Sequence, residues 1–137
     1  MNIFEWDENI PVTANNLNEM QNIINNNIID IYSTDEVKTN MVWIDNKPVY
    51  RKVIEGLQLP NTNVSSYNTN VSNIDKVTKL YGFCSNNLFL NGSRPEDTTA
   101  EIGAWYDPTQ EKIKISTGKD RSNLTATVII EYTKTTD

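Results

Sequence analysis

The chain carries two hydrophobic periods in succession. Between residues 13 and 31 the apolar positions Leu17, Met20, Ile24 and Ile31 recur at alternating spacings of three and four, with Asn27 in the remaining slot. Ile23 and Ile28 widen that stripe, and Thr13 is placed to cap the helix with its hydroxyl. The seam spans barely two heptads, and its other faces are almost entirely Asn, Gln, Glu and Asp, so such a helix is marginal alone in water. It needs a partner surface, either the rest of its own chain or symmetry mates. The second reading is preferred, because the helix sits at one end of the chain, where a stalk would be. Leu17, Met20, Ile24, Asn27 and Ile31 then form an oligomer interface, with Asn27 as a register-setting polar layer and isoleucine leaning toward three strands.

From residue 40 the period changes to two. Segments 41–44 and 48–54 read as a hairpin around Asp45, Asn46 and Lys47, where Asn46 tolerates positive φ and Pro48 opens the returning strand. Gly56 and Pro60 are expected to interrupt the chain. A short strand is predicted at 63–68 and a stronger one at 76–83; a polar stretch follows at 85–99, with Leu88, Phe89 and Leu90 as an apolar island. Strands at 101–106 and 111–117 flank a turn at 107–109, and Ile113 and Ile115 alternate with Lys112 and Lys114. In the closing segment Ala126, Val128, Ile130 and Tyr132 share one face. Ile129 breaks the polarity of the other face, which a subunit contact would explain. Six to eight short strands and no helical period between them predict a mainly β fold: an antiparallel β-sandwich head preceded by a short N-terminal α-helix in a trimeric bundle or coiled coil.

Composition narrows the chemistry. The 137 residues include 12 Lys+Arg against 18 Asp+Glu, for a net charge of −6, which disfavours a nucleic-acid partner. There is no histidine, which removes the usual zinc sites and histidine-dependent triads, and the single cysteine allows no intrachain disulfide. Cys84 closes an apolar strand and reads as a small buried hydrophobe. About twenty asparagines are scattered among periodic segments, as expected of a chain with many turns. No apolar run is long enough to span a membrane, and the N-terminus has neither the basic nor the apolar region of a signal peptide. Glu96, Asp97, Glu101 and Asp107 are the carboxylates from which a hydrolase pair could be drawn, but nothing in their spacing brings two of them together in a cleft. No phosphate loop, nucleophile elbow or metal-ligand spacing is present, so neither an enzyme nor a cofactor is expected. Asp120-Arg121-Ser122 after Gly118 reads as a turn with a local ion pair.

Trp43, Tyr50, Tyr67, Trp105 and Tyr106 are candidate receptor contacts, because aromatic faces stack on the apolar faces of sugars; packing in the core or between subunits is the competing use of each. Phe4 and Trp6 stand in a short acidic tail without a core of its own, so they are expected to anchor into another surface.

Several stretches carry a resemblance. Tyr32-Ser33-Thr34-Asp35-Glu36-Val37, followed by Trp43-Ile44-Asp45-Asn46-Lys47-Pro48-Val49-Tyr50-Arg51-Lys52-Val53, is similar to a segment of small tailed-phage and prophage fibre proteins of Firmicutes, which read close to Y-S-T-x-E and then W-I-D-G-K-P-I-Y-x-K. Gly118-Lys119-Asp120-Arg121-Ser122 and the ending Ile130-Glu131-Tyr132-Thr133-Lys134-Thr135-Thr136-Asp137 resemble the carboxy-terminal part of the same proteins, and Asn73-Ile74-Asp75-Lys76-Val77 fits as well. Pro11 to Asn18 resembles the start of fibres that open with a docking peptide and a helix. The likeness covers most of residues 1–54 and 73–137. It departs at Asn46, where glycine is usual, and at Tyr67-Asn68, near where relatives carry a histidine-containing strand.

The resemblance implies a complete small fibre on the virion, tail or head. Residues 1–12 would dock to another virion structural protein, 13–39 form helical stalk and linker, and 40–137 form the head of a homotrimer. The function implied is adhesion to a host cell-wall glycan or surface protein, with avidity raised by the three copies. The alternatives are a monomeric carbohydrate-binding module and a decoration protein that touches no receptor.

Overall fold

A computed structural model of the protein describes Leu17 and residues 31–91 and 101–137. The chain divides into two units, Met1–Asp30 and Ile31–Asp137. In the first, Leu17 is helical and exposed; Phe4, Trp6, Met20, Ile24 and Asn27 lie outside the described residues. The break falls earlier than the boundary expected after residue 39, so 31–39 belongs to the β unit. Ile31, expected at the helical seam, is exposed there.

The second unit is mainly β and built of two antiparallel sheets. Its strands are β1 (Val37–Val42), β2 (Pro48–Gln58), β3 (Val64–Asn68), β4 (Ile74–Cys84), β5 (Ile102–Asp107), β6 (Lys112–Thr117) and β7 (Thr125–Lys134). One sheet has the order β1-β2-β7-β4 and the other β3-β6-β5, with every neighbouring pair antiparallel. The last strand of the chain therefore lies between β2 and β4, and the larger sheet closes only when residues 125–134 are in place.

Alternation explains which side chains meet. In β6, Ile113 and Ile115 are fully buried while Lys112 and Lys114 lie on the opposite face, the pattern of a strand covered on one side. Ile102 of β5 and Leu57 of β2 join them in one hydrophobic cluster with Val128, Ile130 and Tyr132 of β7, which draws on both sheets. β7 is buried on its second face too. Ile129 is flanked by Val53 and Tyr81 across its two ladders and is 6% exposed within a single chain. Its own chain buries it, so the subunit contact invoked for it is not required.

Local chemistry sets several boundaries. The strand expected at 41–44 starts and ends earlier, and Trp43 and Ile44 fall in the hairpin loop, where the Trp43 N–H donates to the Lys47 carbonyl at 2.9 Å. Asn46 takes φ 66° there, as the tight turn requires. Gly56, expected to break the chain, instead sits within β2 at φ 69°, where the register shifts between Ile54 and Leu57. It is a bulge, which glycine accommodates without a Cβ clash. Gly82 of β4 answers a different need: a Cβ there would run into the Thr127 carbonyl oxygen. Among the described non-glycine residues at positive φ, Asn46, Asn70, Asn73, Asn87 and Asn91 outnumber Thr62 and Glu111, so much of the asparagine serves left-handed turns.

Candidate functional site

The segments that carry the resemblance meet in space through their polar side chains. Glu36, just before β1, accepts a hydrogen bond from the Tyr132 hydroxyl at 2.6 Å and another from the Lys134 ammonium at 2.6 Å. The Tyr132 ring stacks on Tyr50, with centroids 6.0 Å apart, and the Tyr50 hydroxyl donates to Asp137 at 2.8 Å. Lys47 of the hairpin loop reaches Asp75 at 3.0 Å, and Lys76 bridges Asp75 at 3.3 Å and Asp45 at 3.6 Å. On the outer face of the larger sheet Arg51 and Glu131 sit directly opposite each other in the ladder, both buried, with Nε to Oε2 at 3.2 Å. The Arg51 guanidinium lies 4.4 Å over the Tyr32 ring, whose hydroxyl accepts from that of Tyr81 at 3.1 Å.

Proton affinities follow from these contacts. The Lys47 ammonium, then that of Lys76, holds the Asp75 carboxyl below its ordinary value. Donation to Asp137, reinforced by burial, pushes the Tyr50 hydroxyl up to about 12. Burial first and the bond to Glu36 second push Tyr132 higher still. Burial, then the Tyr32 hydroxyl, raises Tyr81. All of these groups are occupied with one another. The network is a clamp joining residues near 36, 50, 75 and 132, and of its members Asp75 and Lys76 also line a groove.

Among the described residues, two grooves are lined by exposed aromatic side chains. The first lies between the outermost strands of the two sheets, β4 and β5, with a volume of 600 Å³. Trp105, Tyr106 and Pro108 line it from the β5 side, and Asp75, Lys76 and Thr78 are among its lining residues from β4. Trp105 stands opposite Lys114 on the face of β5 turned away from the core and is 43% exposed. The second groove, of 520 Å³, lies on the outer face of the larger sheet and is apolar, with Tyr32, Val53, Tyr81, Phe83, Phe89 and Ile129 among its lining residues. Phe89 is 75% exposed and Tyr32 60%. The apolar island noted in the polar stretch supplies Phe89, which bridges back to Phe83, while Leu90 donates its N–H to the Gly82 carbonyl at 3.1 Å.

The five candidate aromatic residues are thus not one surface. Trp105 and Tyr106 share the first groove. Tyr50 belongs to the clamp, and Tyr67 packs against the core with its hydroxyl donating to the Gln58 carbonyl. Trp43 is half-buried in the hairpin loop and lines neither groove. The β4 side of the first groove and the aromatic residues of the second escaped the sequence reading. Phe89 alone had a local signal, as an apolar residue isolated among polar ones.

The remaining candidates are accounted for locally. Asp107 accepts from the Thr109 N–H at 2.9 Å and closes its turn. Asp120 accepts from the Ser122 hydroxyl at 2.7 Å and from its N–H at 3.0 Å, which lowers its proton affinity. Cys84 is fully buried, and burial raises its thiol pKa. Glu101 is exposed, and Glu96 and Asp97 lie outside the described residues. Among the described residues no three His, Cys, Asp or Glu side chains are grouped to hold a metal ion, and no helix is long and apolar enough to cross a membrane. Comparison of the chain with protein-family models, with curated proteins and with solved structures finds no match.

Proposed function

We propose that this protein is a virion appendage, a small fibre in which three copies of a β-sandwich head are displayed for adhesion to a host surface. Residues 1–12 dock to another virion protein and 13–30 form a three-helix stalk through Leu17, Met20, Ile24 and Asn27, with Ile31 starting the β unit. The resemblance of the hairpin and of the carboxy-terminal segment to phage fibre proteins motivates the reading. The observation that carries it is the aromatic surface left uncovered on the larger sheet, where Tyr32, Phe83 and Phe89 stand exposed around one apolar groove. Contiguous exposed apolar surface of this kind marks a site of association. Three heads held side by side would also multiply a weak single-site affinity by avidity.

Two measurements test it. Equilibrium sedimentation of the full chain is expected to give a species of three times 15.6 kDa, and a single 15.6 kDa species at micromolar concentration overturns the trimer. The purified chain is expected to adsorb to intact walls of at least one Firmicutes strain. A trimer that adsorbs to none would be a decoration protein. The β4–β5 groove favours one second reading, a monomeric carbohydrate-binding module, which the same sedimentation experiment separates from the fibre.

A further inference from the structure

We infer that the groove between β4 and β5 is a glycan-binding site, with Trp105 as the stacking platform for a pyranose ring. The inference deepens the adhesion reading and rests on it for its biological sense. Its volume of 600 Å³ falls within the range of small-ligand sites. Trp105 offers a large flat apolar face that its own chain leaves 43% exposed, and Tyr106 and Pro108 extend the apolar lining beside it. The opposite wall carries polar groups that already have partners in the chain but keep spare bonding capacity: the Asp75 carboxylate, held by Lys47 and Lys76, the Thr78 hydroxyl, which donates to the Glu131 carbonyl at 3.2 Å and can still accept, and the Lys76 ammonium, whose side chain is 55% exposed. An exposed indole lining the same groove as a row of donors and acceptors matches a sugar ring, which has an apolar face and a rim of hydroxyls.

The groove also discriminates among other occupants. β4 and β5 each pair with a strand on one side only; Asn91 already bonds the Ile102 carbonyl and both backbone groups of Ala104 on β5, so the edge an added peptide strand could meet is mainly that of β4. Lys76 and Lys79 stand on that stretch of β4, and charged lysines on an edge strand oppose strand addition. Beyond Gly82 the edge is already covered by the fold-back through Phe89. The backbone groups between residues 75 and 80 are thus better suited to isolated hydroxyls than to a continuous strand. Nucleic acid is disfavoured by the net charge of −6 and by Asp75 within the groove.

The test uses the full chain on a printed panel of bacterial polysaccharides and N-acetylglucosamine oligomers. The best binder is then titrated into isotope-labelled protein and followed by NMR. At least one glycan is expected to be retained, with the Trp105 indole and the amides of residues 77–79 shifting. Trp105→Ala is expected to weaken that binding about tenfold, the loss of one good stacking contact. Trp105→Tyr should keep most of it, and Trp43→Ala, outside the groove, should leave it unchanged. No retained glycan, shifts confined to other residues, or a Trp105→Ala protein that is folded and binds like the original overturns the site. Adsorption to intact walls is measured in parallel. Adsorption that is indifferent to Trp105→Ala removes the groove and leaves adhesion standing. A glycan bound in the groove by a protein that adsorbs to no wall removes adhesion and leaves the groove standing.

Discussion

The clamp and the β4–β5 groove are both made of aromatic and charged side chains at strand ends and edges, yet they are opposites. In the clamp each polar group is consumed by another: Glu36 by Tyr132 and Lys134, Asp75 by Lys47 and Lys76, Arg51 by Glu131. In the groove Trp105 stays 43% exposed, while Asp75 and Lys76 belong to both regions, paired with each other and open to the groove. The difference teaches that Glu36, Lys47, Arg51, Glu131, Tyr132 and Lys134 are architectural. They tie the hairpin, the start of β4 and the final strand into one sheet. In the proposed glycan site the recognising residue is Trp105, which takes no part in the clamp.

That division can be broken by mutation, beginning inside the clamp. Glu131→Ala leaves Arg51, itself only 5% exposed, without its carboxylate, and is expected to cost about 3 kcal/mol in urea denaturation. A cost near zero would mean that the pair is not needed to hold the sheet. Tyr132→Phe keeps the packing and removes one bond to a carboxylate. About 1.5 kcal/mol is expected, the low end of the range for such bonds, because Glu36 keeps Lys134 and touches water.

Alkaline pH should loosen the same network by a smaller step. Tyr50 ionises at about 12 in the folded chain against 10.0 ordinarily, and Tyr132 and Tyr81 shift the same way. A raised folded value means that the contribution is whole below about pH 10 and is lost as the pH climbs through the folded value. Denaturation midpoints should therefore fall between about pH 10 and 12, and Tyr50→Phe should lessen that fall. On the acid side the sign reverses for Asp75, whose lowered pKa gives a contribution present above its ordinary 3.8 and lost below it; Asp75→Asn should flatten that limb. The smallest effect is expected in the groove. Trp105→Ala should change stability by no more than about 0.5 kcal/mol, as for exposed positions generally, and a loss comparable to that of Glu131→Ala would place the indole among the structural residues.

Much of the β unit was legible because alternation is a direct imprint of one-sided burial. Ile113 and Ile115 between lysines located β6, and Asn46 between two apolar runs located the first hairpin. Errors arose where the reading treated a residue by type. Gly56 looked like a terminus and is a bulge; Ile129 looked like a subunit contact and is covered by Val53, Tyr81 and the strand's own neighbours. A period shows that a face is buried, without naming what buries it. The clamp was visible only as a string of motif residues, since Glu36 and Lys134, or Lys47 and Asp75, are far apart in the chain and their pairing depends on β7 entering between β2 and β4.

What the amino-acid order determined by itself is the identity of the local pieces: which segments extend, where asparagine and glycine let the backbone turn, and which face of β6 is apolar. Those are short-range consequences of sterics and of water's rejection of hydrocarbon. Tertiary structure alone decided which edges stay open and which polar side chains find partners. Strand order is a global solution, reached only when the last strand is inserted, and with it came the closed clamp and the groove beside Trp105.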